Sequence, residues 1–306
     1  MHADKTRRRF LQFGCGVAIA PRVFAQGSPV IDRFRYCLNT ATLQGYKLSL
    51  PEMIDAAGTA GYNAIEPWLT AITAYTGPLG DIRKRLSDHG LTVESAIAFA
   101  QWIVDDPAKR AAALEQMRRE MDLVTQIGGR RIAAPPAGAN NAAPIELSAI
   151  VERYRAVLEL GDRMAVVPEL EFWGPSTNLN RLSQAMFVVL ETGHPKACVL
   201  ADVYHLYKGG SGFAGLPQLS AQAIQVIHMN DYPADPPRDR IADRDRVYPG
   251  DGVAPLKQIL RDLRRVNPEL VLSLELFNAN YWKTDPLDTA KTGLTKMKQA
   301  VRSALT

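Results

Sequence analysis

Four short apolar runs in the second half of the chain each end in a side chain able to bind a metal ion. They are residues 166–171 (VVPELE), 198–202 (CVLAD), 224–228 (IQVIH) and 270–275 (LVLSLE). Each reads as a buried strand with its polar residue at the C-terminal end. In a parallel barrel those ends converge on one face, so Glu171, Asp202, His228 and Glu275 can meet in one pocket. Two glutamates, an aspartate and a histidine suit one divalent ion, Mn²⁺ first and then Mg²⁺, Co²⁺ or Zn²⁺. Any one of them alone has a plain explanation, such as a hydrogen-bonded core histidine or a carboxylate paired with a loop arginine. Four unpaired polar groups inside one barrel would be costly unless an ion bound them.

The chemistry follows from that donor set. A divalent ion polarises a carbonyl and acidifies the adjacent C–H, and a nearby carboxylate can take the proton. Return of the proton from the opposite face inverts the carbon, and return to the neighbouring carbon interconverts aldose and ketose. Expulsion of a β-hydroxyl gives a dehydratase instead. The residues leave all three open. Glu169 shares the inward side of its strand with Glu171 but lies deeper. His205 follows Asp202 by three residues as the chain leaves the strand, which suits a polar group reaching a substrate.

The elements needed to hold these residues are present. Strand-like segments fall at 34–39, 64–68, 92–99, 131–134, 166–172, 198–203, 224–229 and 270–276, with helical patterns between them. Ser49-Leu50-Pro51-Glu52 combines an N-cap serine, a first-turn proline and a glutamate three residues on. Asp106-Pro107 opens a long amphipathic segment that Gly128-Gly129 closes. Residues 144–164, 180–192, 255–266 and 285–305 supply four more helices. This alternation predicts a single-domain α/β fold, a (β/α)₈ TIM barrel over 26–306. The irregular stretch 232–252, rich in Pro, Asp and Arg, follows the seventh strand on the face where barrel loops build active sites.

Residues 1–25 read as a leader. Thr6-Arg7-Arg8-Arg9-Phe10-Leu11-Gln12 has the twin-arginine export pattern, followed by a short apolar stretch and a Val23-Phe24-Ala25 cleavage site. That stretch is too short for a stable membrane anchor, so the expected location is the periplasm. Of 36 basic and 32 acidic residues, removal of 1–25 leaves 31 of each. The basic balance belongs to the leader, and a nucleic-acid surface is not expected. Cys37 and Cys198, both in strand-like runs, read as core thiols.

Several segments together resemble the xylose isomerase-like barrels called sugar phosphate isomerases/epimerases, which include ketose 3-epimerases and inosose dehydratases. The segments are Gly61-Tyr62-Asn63-Ala64-Ile65-Glu66-Pro67-Trp68, Glu171-Phe172-Trp173-Gly174, Asp202-Val203-Tyr204-His205 and His228-Met229-Asn230-Asp231. Pro249-Gly250-Asp251-Gly252 and Ser273-Leu274-Glu275-Leu276-Phe277-Asn278 complete the set. The resemblance implies a metal held by Glu171, Asp202, His228 and Glu275, with the two glutamates also acting as acid/base groups on opposite faces of the sugar. It implies a substrate contact at His205, a substrate or loop-ordering contact at Arg246, a small carbohydrate substrate and a homo-oligomer whose interface cannot be read. Trp68, Phe99, Trp102 and Trp173 fall at strand ends, where they could stack on a sugar ring or pack as core. Where the epimerases carry a further substrate-binding glutamate, this chain has Pro175-Ser176-Thr177-Asn178. The related three-zinc nucleases need more histidines than His89, His194, His205 and His228 supply.

Overall fold

A ring of strands buries one face inward and the other against helices, so each strand must be apolar on both sides. The computed structural model describes residues 33–306, and the leader predicted at 1–25 lies outside them. Eight parallel strands run in chain order: β1 (Arg35–Asn39), β2 (Ala64–Glu66), β3 (Thr92–Val93), β4 (Arg131–Ala134), β5 (Val167–Glu171), β6 (Val199–Asp202), β7 (Ile224–Met229) and β8 (Val271–Leu274). They pair as β3-β2-β1-β8-β7-β6-β5-β4. The chain just past β3 bridges the two ends of that order. Ala96 N–H donates to Arg131 O at 3.2 Å, and Ala133 N–H donates to Ala96 O at 2.8 Å. The fold is the expected TIM barrel.

The helices start where the sequence signals them. At α1 (Leu50–Ala60) the Glu52 carboxylate accepts the Ser49 N–H and hydroxyl, both at 2.7 Å. Asp106 caps α2 (Pro107–Gln126) by accepting from Ala108 and Lys109 N–H, and Asp285 caps the last helix, Pro286–Leu305, by accepting from Leu287 N–H. Helices Leu147–Met164, Leu182–Thr192 and Leu256–Val266 complete the predicted set. Helices at Leu69–Ala74, Leu79–Asp88 and Val203–Lys208 were not read from the sequence. Between the strands and helices lies the main apolar core. A second, small cluster of Cys37, Ala64, Ile97, Ala133, Leu200, Val226 and Val271 fills the inside of the ring. Cys37 and Cys198 are free and buried, as core thiols.

Six predicted strands are longer than the observed ones, and the third, predicted at 92–99, is shortened most. After Glu66 comes Pro67, which has no N–H to give the ladder, and only an isolated Trp68–Ile97 bridge continues the pairing. Residues 94–99 therefore leave regular geometry while still lining the ring. None of the helices among the described residues is long and apolar enough to cross a membrane.

Candidate active site

Side chains alternate along a strand, and one phase of that alternation points inward. Asn39 on β1, Glu66 on β2, Glu169 and Glu171 on β5, Asp202 on β6 and His228 on β7 take that phase, as do Ser273 and Glu275 on and just past β8. All are buried. Near the C-terminal mouth, Asp202, His228 and Glu275 each present a ligand atom, and these atoms lie within 4.8 Å of one another. Glu171 lines the same cavity as Glu275 but stands outside that group of three.

The histidine is held from behind. Its Nε2 meets Glu66 Oε2 at 3.1 Å, and Glu66 Oε2 also accepts from Ser273 Oγ at 2.6 Å and Asn39 Nδ2 at 2.9 Å. Burial would raise the Glu66 carboxyl, but the His228 charge and these bonds outweigh it and keep the group ionised. A carboxylate on one imidazole nitrogen fixes the proton there and turns the other nitrogen toward a metal. That other atom, Nδ1, has no hydrogen-bond partner. It lies 3.2 Å from Glu275 Oε2 and 3.7 Å from Asp202 Oδ2. Donors bonded at about 2 Å to one ion stand roughly 3 to 3.7 Å apart, so the three residues fit a divalent cation of the N/O-binding kind. Burial would lower the His228 pKa, yet the Glu275 and Glu66 carboxylates raise it well above its ordinary value, so this spot favours positive charge.

Asn39 ties the ring together. Its Nδ2 reaches Glu66 and, at 3.2 Å, Glu275 Oε1. Its Oδ1 accepts the Trp68 indole N–H at 3.0 Å. Asp202 is oriented by the His205 backbone N–H at 2.9 Å and by Asn230 Nδ2 at 3.1 Å. Neither Asn39 nor Glu66 was assigned a role from the sequence. For Glu66 the signal exists, since Ala64-Ile65-Glu66 is another apolar run ending in a carboxylate. Asn39 carries no such signal.

The loop after β7 delivers Arg246. Asp231 and Val247 exchange both backbone hydrogen bonds at 2.9 Å. The Asp231 carboxylate also accepts the N–H groups of Tyr232, Gly250, Gly252 and Ala254 at 2.8 to 3.1 Å. This explains the Pro249-Gly250-Asp251-Gly252 motif: Gly250 has φ +93°, and a Cβ on Gly252 would overlap the Tyr232 carbonyl and Asp231 itself. Arg246, 1% exposed, then places Nη1 at 2.9 Å from Asp202 Oδ2 and 2.8 Å from Glu275 Oε2. Its other arm pairs with Asp243, and its guanidinium lies 4.4 Å from the Tyr204 ring centroid. Burial would lower its pKa, but Asp202, Asp243 and Glu275 raise it, so it is a permanent cation. The Glu275 carboxyl, which burial would raise, is held below its usual range by His228 and Arg246.

A cavity of about 500 Å³ opens over this floor. Glu171, His205, Arg246, Glu275 and Trp68 all line it, as do Phe99, Trp173 and Phe277. Burial pushes the Glu171 carboxyl up to about 8 against the pull of His228, and pulls the His205 imidazole down to about 4. Neutral His205 accepts the Gly174 N–H on Nδ1 at 3.2 Å, which puts its proton on Nε2. The approach of Arg246 Nη2 to that atom at 3.3 Å joins two donors and is therefore a contact only. Trp102 lies apart, buried with its N–H on Pro135 O at 2.9 Å. Lys208 gives its ammonium to the carbonyls of Arg238 and Asp239.

The sequence profile of the xylose isomerase-like TIM barrels matches residues 54–300. An inosose isomerase of Bacillus velezensis is 33% identical over 148 residues, 48% of this chain and 49% of that protein. A 3-dehydroshikimate dehydratase of Pseudomonas putida is 22% identical over 258 residues, 83% of this chain and 40% of the relative. The matches thus span half or less of these relatives' length. A crystal structure of the IOLI protein with a zinc atom bound superposes with a TM-score of 0.80 at 22% identity, covering 89% of this chain and 99% of the other. At that identity the likeness speaks for the fold.

Proposed function

The chain belongs to the xylose isomerase-like TIM barrel family, and on that footing we propose that it is a divalent-metal-dependent isomerase or epimerase of a sugar, keto-sugar or cyclitol. One observation carries the reading: two carboxylates, Glu171 and Glu275, line a single cavity whose floor gathers the Asp202–His228–Glu275 donor set. Asp202, His228 and Glu275 would hold the ion, with Glu171 as a further ligand from β5, the strand next to β6. When bound, the ion would act as a Lewis acid on a substrate carbonyl.

The remaining work falls to side chains of the chain. Glu275, gripped by the Arg246 guanidinium, would take a proton from a carbon beside the carbonyl, and Glu171, lining the same cavity, would return one. His205 offers an Nε2–H donor to a substrate oxygen. Arg246 fixes the Asp202 and Glu275 carboxylates it bridges. The relatives named inosose isomerase and the ordered motif set support the assignment.

A dehydratase using the same first proton removal is the second reading. It is favoured by the match to a 3-dehydroshikimate dehydratase that runs across 83% of this chain. The twin-arginine pattern of residues 6–12 adds the proposal that the reaction takes place in the periplasm. The test is deuterium uptake next to the carbonyl of inososes and keto-sugars in D₂O, with Mn²⁺ added back to chelator-treated protein. Glu275→Gln should abolish uptake while leaving the circular dichroism spectrum intact; undiminished uptake by that variant would reject the assignment. Loss of water from the substrate, seen in the same spectra, would select the dehydratase.

A further inference from the structure

A second cavity, of about 620 Å³, lies on the outside of the barrel between helix Leu256–Val266 and the last helix, Pro286–Leu305, which pack side by side. It is larger than the cavity over the donor set, and its charge has one sign. Lys257, Arg261 and Lys296 line it, with Gln258, Gln299 and Ser303 as neutral polar neighbours. Asp231 is the one acidic residue in the lining, and its oxygens already accept four backbone N–H groups. The two helices carry eight Lys or Arg against two Asp, whereas residues 33–306 as a whole hold 31 basic and 30 acidic residues. Positive charge is therefore gathered on this face, and a cleft lined by one sign concentrates counter-ions.

Two of the three cations are uncommitted. Lys296 pairs with Asp251. Arg261 Nε donates to Ala304 O at 2.6 Å, which fixes the guanidinium and leaves its two Nη groups for another acceptor. Neither Arg261 nor Lys257, one helical turn apart on the same side, forms an ion pair among the described residues. The uncompensated charge is thus about two units, and a phosphate monoester carries about −1.5 to −2 at pH 7. A guanidinium fork beside an ammonium also suits phosphate oxygens; a carboxylate would bring only one charge. The volume lies within the roughly 300–1,000 Å³ of small-molecule sites and exceeds what bare phosphate fills. Pro249, Pro255 and Ala300 offer an apolar side to a carbon skeleton.

The position of the groove gives binding a consequence. Pro249, Gly250 and Gly252 form one wall. They belong to the turn just after Arg246 that the Asp231 carboxylate stitches, and Lys296 holds Asp251 of the same turn. We propose that this groove binds a soluble phosphate monoester on Lys257 and Arg261, and that the bound ester braces the turn behind Arg246. The site is separate from the barrel mouth and does not depend on the reaction assigned there.

Isothermal titration calorimetry of the chelator-treated protein with glycerol 3-phosphate tests this, with glycerol as the neutral control. Wild type should bind the ester saturably and glycerol not at all. Lys257→Gln and Arg261→Gln should each weaken binding by about 10-fold or more, with the circular dichroism spectrum unchanged. Arg265→Gln, on the same helix but outside the groove, should leave the affinity as in wild type. Saturating ester should slow tryptic cleavage within 232–252, and Lys257→Gln should lose that protection. No saturable binding would overturn the site. So would equal weakening by all three substitutions, which reports diffuse attraction to a basic face. Binding without protection would overturn the link to the turn. Capture on phosphatidylglycerol vesicles without binding of the soluble ester would overturn the soluble ligand in favour of a lipid headgroup.

Discussion

Glu169 gives the sharpest physical test of this barrel. Its side chain is fully buried, neither carboxylate oxygen has a hydrogen-bond partner, and the nearest cation, Arg131 Nε, is 3.9 Å away. Burial pushes its carboxyl from 4.5 up to about 8, with the Arg131 charge opposing. Such a group binds its proton more tightly in the folded chain than in the unfolded one. Stability is therefore greatest at acid pH with respect to this residue, and falls as pH rises from the unfolded value toward 8. At 1.36 kcal/mol per unit, the loss between pH 5 and pH 8.5 comes to about 4 kcal/mol. Glu169→Gln keeps the shape and cannot titrate. Its amide inherits the same lack of partners, so the variant carries a cost that does not change with pH.

The measurement is denaturant unfolding of both proteins at pH 5, 6.5 and 8.5 in the presence of a chelator, followed by far-ultraviolet circular dichroism. The difference in unfolding free energy, variant minus wild type, should move by about 4 kcal/mol in favour of the variant across that range. In a chain of this size that is a shift in relative Tm of about 7 °C. A difference constant with pH would refute the reasoning. It would mean that Glu169 ionises near its ordinary value and that Arg131 or bound water satisfies it.

Two further perturbations probe the site's supports. Glu66→Gln removes the charge behind His228 Nε2 while keeping its bulk, and should weaken divalent-metal binding by about 10- to 100-fold. Competition against a chromophoric chelator reads this directly, and an unchanged affinity would show that Glu66 does not orient the ligand. Asp231→Ala deletes four backbone-to-carboxylate bonds, three of which hold residues 250–254. With charged hydrogen bonds worth about 1.5–3 kcal/mol each and partly replaced by water, a loss of about 3 kcal/mol is expected. Limited proteolysis should then cut within 232–252, and protease resistance equal to wild type would count against the stitching role.

The sequence made the barrel legible because each strand is short, apolar on both faces and bounded by capped helices. The strand-end residues were legible for the same reason: in VLAD or IQVIH a polar side chain interrupts a run that is otherwise uniformly buried. The fine geometry was not. Glu171 occupies a strand-end position equivalent to the others, yet the compact group consists of Asp202, His228 and Glu275, because depth in the barrel depends on register between strands. In the β5–β6 register Glu171 stands opposite Leu200, two residues short of Asp202, and no local pattern in VVPELE or CVLAD announces that.

Long-range partners were hidden for a more general reason. Glu66 and His228 are separated by 162 positions, and Asn39 and Glu275 by 236, so neither pair leaves a spacing signature. Both pairs exist only when the ring is closed, since they join β1 and β2 to strands at the other end of the chain. The donor set is oriented by groups on β1 and β2 but formed by residues on β6, β7 and the end of β8. Loss of β1–β8 pairing would thus leave Asp202 and His228 adjacent through β6 and β7 but strip His228 of Glu66 and Glu275 of Asn39. Metal affinity in this protein should consequently track closure of the barrel, more closely than it tracks the integrity of any single strand bearing a ligand.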